Sequence, residues 1–138
     1  MSEERVAGSC LCGEVAYTIS GSAGIFQYCH CSRCRKFTGS AHAANLFVRP
    51  NQFAWTNGQD LVGTFAPENT RHFATAFCKR CGSSLPWHNK SGTIVVIPAG
   101  TLDGDPPIEP SQNIFWGSRA PWYRHASGLP MHDALPPR

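Results

Sequence analysis

The sequence has no long apolar run. Its longest such stretch, residues 94–99, falls far short of the roughly 18 residues a membrane-spanning helix needs. Charge is also scarce: 15% of residues are charged against 41% hydrophobic, a balance that fits neither a disordered chain nor a membrane-spanning one. The 12 Lys and Arg exceed the 9 Asp and Glu by three, and no dense basic run occurs, only pairs such as Arg35-Lys36 and Lys79-Arg80. Nucleic acid is therefore not an expected partner, whereas a modest positive field suits a small anionic substrate. The first ten residues contain Glu3 and Glu4 and no apolar segment, so they do not read as a signal peptide, and a cytoplasmic location is expected. There is no repeat at solenoid period. Helical periodicity is nearly missing too. Only residues 32–40 read as a helix, with Ser32 as its cap and Gly39 as its stop.

Strand signals are plentiful instead. Val15, Tyr17 and Ile19 alternate with Glu14, Ala16 and Thr18 in the manner of a half-buried strand. Further strands are expected over residues 25–29, 43–49, 52–56, 61–65, 72–77, 84–88 and 93–98, separated by Gly21, Gly24, Pro50, Asn57-Gly58, Pro67 and Ser91-Gly92. Asn57-Gly58 is a tight-turn signal. The pattern predicts a mainly β fold in one domain over residues 1–138, long enough to bury a core without disulfides. From Gly100 onward the chain reads as a loop-rich wrap, with residues 114–116 and 121–123 as apolar anchors. Phe37, Phe47, Phe73 and Phe77 read as core.

The abundant chemistry is sulfur. Seven cysteines are an odd number, which argues against a closed disulfide framework. They fall in three groups: Cys10 and Cys12; Cys29, Cys31 and Cys34; Cys78 and Cys81. Cys78-Lys79-Arg80-Cys81-Gly82 has the form of a zinc knuckle, in which a tight turn aims backbone amides at sulfur. Joined to Cys10 and Cys12 it makes the four-thiolate tetrahedron of a closed, structural zinc site. Cys29, Cys31 and Cys34 then supply three corners of a second site. A histidine such as His42, His72, His88, His125 or His132, or an aspartate or glutamate, would complete it as structural; a corner left for substrate would make it catalytic. A different partition, Cys10 and Cys12 with Cys29 and Cys31, is conceivable but splits a compact triplet. Arg33, Arg35 and Lys36 flank the triplet and could attract carboxylates, or form an ordinary solvated helix face. His30 is either a support for the site or a satisfied loop histidine. Trp116 and Trp122 either line a pocket or anchor the tail.

These residues also carry a resemblance. GSCLCGEVAY (residues 8–17), CHCSRCRKFTGSAHAANLFV (29–48), FCKRCGSSLPW (77–87), NIFWGSRAPWY (113–123) and GLPMH (128–132) resemble the glutathione-dependent formaldehyde-activating enzyme family along nearly the whole chain. The resemblance implies a beta-tent (Mss4-like) fold of small, zinc-stabilised sheets. It implies two zinc ions per chain. Cys10, Cys12, Cys78 and Cys81 match the structural ligands; Cys29, Cys31 and Cys34 match those of a catalytic zinc whose fourth position is left to substrate. The implied reaction joins glutathione, or a similar small thiol, to formaldehyde or another small aldehyde, a carbon–sulfur lyase chemistry of the S-(hydroxymethyl)glutathione synthase kind. The alternative is a non-catalytic protein-interaction module with both zincs structural, since some beta-tent relatives act on partner proteins and a centromere-associated branch shares this domain. No membrane partner is expected, and the sequence specifies no oligomeric state.

Overall fold

The computed structural model of the chain describes residues 4–124 and 128–137. In chain order its elements are β1 (Arg5–Ser9), β2 (Ala16–Ser20), β3 (Ile25–Cys29), helix α1 (Ser32–Thr38), β4 (Ala43–Val48), β5 (Phe53–Asn57), β6 (Val62–Phe65), β7 (Thr75–Cys78), β8 (Ser84–Leu85), β9 (Trp87–His88), β10 (Val95–Pro98) and β11 (Gln112–Ile114). They form three sheets, ordered β1-β2-β5, β11-β3-β4-β10-β9 and β6-β7-β8. The mainly β architecture with one short α-helix is thus as expected. No helix among the described residues is long and apolar enough to cross a membrane.

The alternation around β2 works as the sequence implies. Val15, Tyr17 and Ile19 are fully or almost fully buried, because successive side chains of a strand point to opposite faces. Tyr17 and Ile19 pack with Phe26 of β3, Leu46 and Val48 of β4, and Val95 and Ile97 of β10, so the main core lies between the first sheet and the five-stranded sheet. The Tyr17 hydroxyl, 2.6 Å from that of Thr101, is satisfied inside this core. A second core joins Cys10 and Val15 to Ala76, Cys78 and Leu85. Phe37, Phe47, Phe73 and Phe77, expected in the core, are only half-buried.

Several boundaries differ from the sequence expectation. The strand predicted over 84–88 is broken at Pro86, which offers no N–H to a ladder, and its halves join different sheets. Asn57-Gly58 turns the chain but makes no hairpin, since β5 and β6 belong to separate sheets. Gly58 is obligatory there: its φ is 72°, and a Cβ would lie 2.1 Å from the Glu14 carbonyl oxygen. β1 and β11 were not foreseen. β1 lacks alternation, and β11 is a short polar segment held by parallel pairing to β3. The helix spans residues 32–38 rather than 32–40, and Cys31, not Ser32, is its N-cap; Gly39 ends it in a left-handed conformation, as expected. Seven residues do not make a stable helix alone. Cys34 anchors this one against Cys29 and Ala43.

Candidate metal centres

The first centre is built at two loop tips. β1 runs into Cys10-Leu11-Cys12-Gly13, where the Cys10 amide donates to the Val15 carbonyl, 3.0 Å, and the Gly13 amide to the Cys10 carbonyl, 3.0 Å. β7 runs into Cys78-Lys79-Arg80-Cys81-Gly82 in a similar way, with the Cys78 amide donating to Ser83, 2.9 Å, and the Gly82 amide to Cys78, 2.8 Å. Gly82 has φ 79°, a left-handed turn that glycine adopts without cost. The four sulfurs of Cys10, Cys12, Cys78 and Cys81 lie within 4.8 Å of one another. The Cys10–Cys12 and Cys12–Cys78 separations are 3.5 and 3.9 Å. The edge of a zinc–thiolate tetrahedron is about 3.8 Å for a bond of about 2.3 Å, so the spacing fits that ion and is far from a disulfide's.

The surroundings favour thiolate here. The Val15 amide donates to Cys10 Sγ, 3.4 Å, and the Cys81 amide to Cys78 Sγ, 3.5 Å. Ser83 Oγ lies 3.2 Å from Cys81 Sγ and accepts from the Leu11 amide, 2.9 Å, stitching the two loops together. The Ser83 hydroxyl and amide draw the Cys81 thiol down to about 5. Burial pushes Cys10 up, but the Val15 amide and neighbouring thiols outweigh it and leave it lowered. At Cys12 the Glu14 amide pulls down, yet burial and the surrounding sulfurs raise it to about 11. Without a cation the four thiols cannot all ionise together; with one they can.

The second centre is local. Cys29 closes β3 opposite Ala43, Cys31 caps α1, and Cys34 lies in its first turn. Their three sulfurs again lie within 4.8 Å of one another. The Cys34 amide donates to Cys31 Sγ, 3.3 Å, so the capping bond of the helix is made to a sulfur. The Cys29 and Cys34 thiols, donating to Cys31, lower it; the same exchange raises Cys29 and Cys34. Three sulfurs in a half-buried pocket sharing protons in this way fit a cation that would discharge them all. The sulfurs therefore group as four plus three, and the split of Cys10 and Cys12 with Cys29 and Cys31 is not formed. Among the described residues no histidine, aspartate or glutamate joins the triplet. His42, His72, His88 and His132 stand elsewhere, and His125 lies outside the described residues.

The shell around the triplet was largely invisible in the sequence. His30 is wholly buried, and its Nε2 is 2.9 Å from Asn113 Oδ1. A carbonyl oxygen only accepts, so Nε2 carries the proton. Nδ1 has no partner among the described residues. The ring is enclosed by His42 and Trp116, each 4.9 Å away, and Tyr123, 5.4 Å. His42 stacks on Tyr28 at 4.4 Å, and burial lowers its pKa. The His30 amide donates to Ile114, 3.0 Å, so β11 ties the tail to the metal loop. Trp116 thus serves the site, whereas Phe115 and Trp122, expected as tail anchors, are 62% and 65% exposed. Phe115 has φ 54°, the one positive φ outside glycine among the described residues. Arg33 and Lys36 are exposed, while Arg35 is half-buried with an unpartnered Nε. Asn113 and Ser83 gave no sequence signal beyond their amide and hydroxyl groups.

Comparison with known proteins gives a family and a fold. The family described as "Glutathione-dependent formaldehyde-activating enzyme" matches residues 5–118. A Halomonas elongata protein named "Putative glutathione-dependent formaldehyde-activating enzyme" is 31% identical, the match covering 76% of this chain and 70% of that protein. A crystal structure of a Rhodobacter sphaeroides protein superposes with a TM-score of 0.58 at 21% identity, covering 77% of this chain and 98% of that one. At that identity the likeness speaks for the fold.

Proposed function

The chain belongs to the glutathione-dependent formaldehyde-activating enzyme family, and from that premise we propose that it is a zinc-dependent enzyme of carbon–sulfur lyase type. It would join a thiol, glutathione or a similar one, to formaldehyde or another small aldehyde. The observation that carries this reading is the three-sulfur group with no fourth protein ligand among the described residues. Cys10, Cys12, Cys78 and Cys81 would hold a structural zinc, and Cys29, Cys31 and Cys34 a catalytic one. Zinc in a three-thiolate site can lower the pKa of a thiol and can polarise an aldehyde oxygen. The reaction itself is balanced without an oxidant or reductant. The thiol sulfur bonds to the carbonyl carbon, the carbonyl π pair moves to oxygen, and that oxygen takes a proton as the thiol gives one up.

The chain's own residues position this site. The Cys34 amide holds Cys31 Sγ. Cys29 is fixed by its place at the end of β3. His30, in the loop between them, is paired with Asn113 and enclosed by three rings. Arg33, Arg35 and Lys36 share α1 with Cys34 and add positive charge to that part of the surface. A reducing compartment such as the cytoplasm would keep all seven cysteines free, and both centres would serve one domain over residues 1–138.

A second reading, a zinc-stabilised interaction module, draws on the exposed apolar side chains of the tail: Phe115, Trp122, Leu129, Met131 and Leu135. Cobalt substitution separates the two. If a substrate thiol completes the triplet, glutathione should raise the thiolate-to-cobalt charge-transfer absorbance of the parent protein but not of Cys31→Ser. A flat titration at millimolar glutathione rejects thiol activation at this centre. Absence of product when formaldehyde is then added rejects formaldehyde as the aldehyde.

A further inference from the structure

Beside the triplet runs a groove of about 460 Å³, lined by Ser32, Arg33, Lys36, Phe37, Phe65, Phe73 and Thr75. It adjoins the proposed reaction centre at two points. Ser32 and Arg33 lie in the chain between Cys31 and Cys34, and Phe73 packs against the Cys29, Cys34 and Ala43 cluster. Its character is unlike that of the substrates so far considered. Three phenylalanines line it, and Phe65 is 61% exposed although a ring of that size ordinarily seeks burial. Arg33 and Lys36, one helical turn apart on α1, supply two positive charges. No acidic side chain lines the groove, and the one ion pair among the described residues, Arg80–Glu14, is elsewhere.

Formaldehyde has no substituent to touch a phenyl ring, and glutathione is polar along its whole length. Neither has a surface that three aromatic side chains would recognise. An aryl group with a carboxylate does: rings pack on rings, and a guanidinium and an ammonium at the rim bind the acid by charge-assisted hydrogen bonds. Building on the thiol–aldehyde reading above, we infer that the groove binds the substituent of the aldehyde, and that this substituent is an aryl or equally bulky apolar group carrying a carboxylate. Arg33, Lys36 and Phe65 are then specificity residues, and formaldehyde is a minimal substrate that leaves the groove unused.

The test measures binding directly on the zinc-loaded protein. In calorimetric titrations, 3-phenylpropionate should bind saturably, and 3-phenylpropanol, of nearly the same shape without the charge, about tenfold more weakly. Binding should weaken with added salt. Phe65→Ala should reduce affinity about fivefold and the pair Arg33→Gln, Lys36→Gln about tenfold; all three positions are at least partly exposed, so the fold is not at stake. Equal affinity for acid and alcohol, or parental affinity in both variants, overturns the inference. Displacement of 3-phenylpropionate by glutathione overturns it as well, since the groove would then belong to the thiol. Turnover of glutathione with formaldehyde is assayed on the same protein. Binding without turnover supports the groove and rejects formaldehyde as the aldehyde; turnover without binding overturns the groove and leaves the thiol–aldehyde reading standing.

Discussion

The two sulfur clusters are made from the same atoms in opposite ways. The four-cysteine centre joins loop tips far apart in sequence, Cys12 and Cys78 being 66 residues from one another. It links the β1-β2-β5 sheet to the β6-β7-β8 sheet across the second core. The three-cysteine centre lies within one strand–loop–helix passage and links nothing remote; its sequence neighbours already bring it together. A cross-link between distant segments contributes to folding because the unfolded chain does not hold its ligands in place. A cluster preassembled by local structure would contribute less to folding and, on the proposed reading, would leave its metal available for chemistry. Four donors complete a tetrahedron, whereas three leave a place for a reactant.

That contrast is broken or sharpened first by ligand replacement. If the four-cysteine centre is structural, as proposed, Cys81→Ser should lower the melting temperature by on the order of 10 °C or more, because losing a ligand would remove several kcal/mol of metal-linked folding energy. Cys31→Ser should melt within a few degrees of the parent. Equal losses in the two variants would show both centres to be structural. Next comes metal removal. Mild chelation should strip one zinc and leave about one bound, with the far-ultraviolet dichroism unchanged. Simultaneous loss of both with unfolding would end the division into a structural and a reactive centre.

A smaller effect is expected at Ser83, whose hydroxyl bridges Leu11 and Cys81. Ser83→Ala should cost about 1 kcal/mol and weaken the four-cysteine centre about tenfold in a chelator competition, without changing the triplet's affinity. An effect on the triplet instead would mean that the centres are coupled. The smallest effect belongs to the tail beside the triplet. Phe115 sits in the left-handed region at a cost of about 1 kcal/mol and buries little in return. Phe115→Asn, which tolerates that conformation, should leave the melting temperature unchanged or raise it by a few degrees. A clear drop would show that the ring makes a contact worth more than its strain.

Tertiary context accounts for most of what the sequence left unread. Pro86 looked like an interior residue of one strand, and only the placement of its two halves in separate sheets shows it as a corner. β11 has no hydrophobic alternation; it exists because β3 offers a free edge for its amides. Asn113 is an ordinary polar residue until parallel pairing brings it opposite Tyr28 and its side chain to His30. The helix cap was misplaced by one residue because serine is the usual capping side chain and sulfur a rare one, yet at Cys31 the sulfur accepts the bond.

By itself the sequence determined the mainly β class, the inward face of β2, the stop of the helix at Gly39 and the grouping of seven sulfurs into pairs and a triplet. All of these depend on neighbours within a few residues, where periodicity, turn chemistry and ligand spacing act directly. Ligand spacing favoured joining the two pairs as a set of four, and the tertiary structure decided this against the split of Cys10 and Cys12 with Cys29 and Cys31. The tertiary structure alone decided that His30 is buried among rings from the tail, and that Phe65 and Phe73 flank Arg33 in one groove. Those facts are contacts between segments tens of residues apart. They are set by how sheets close over a shared core, a property of the whole chain that no local window contains.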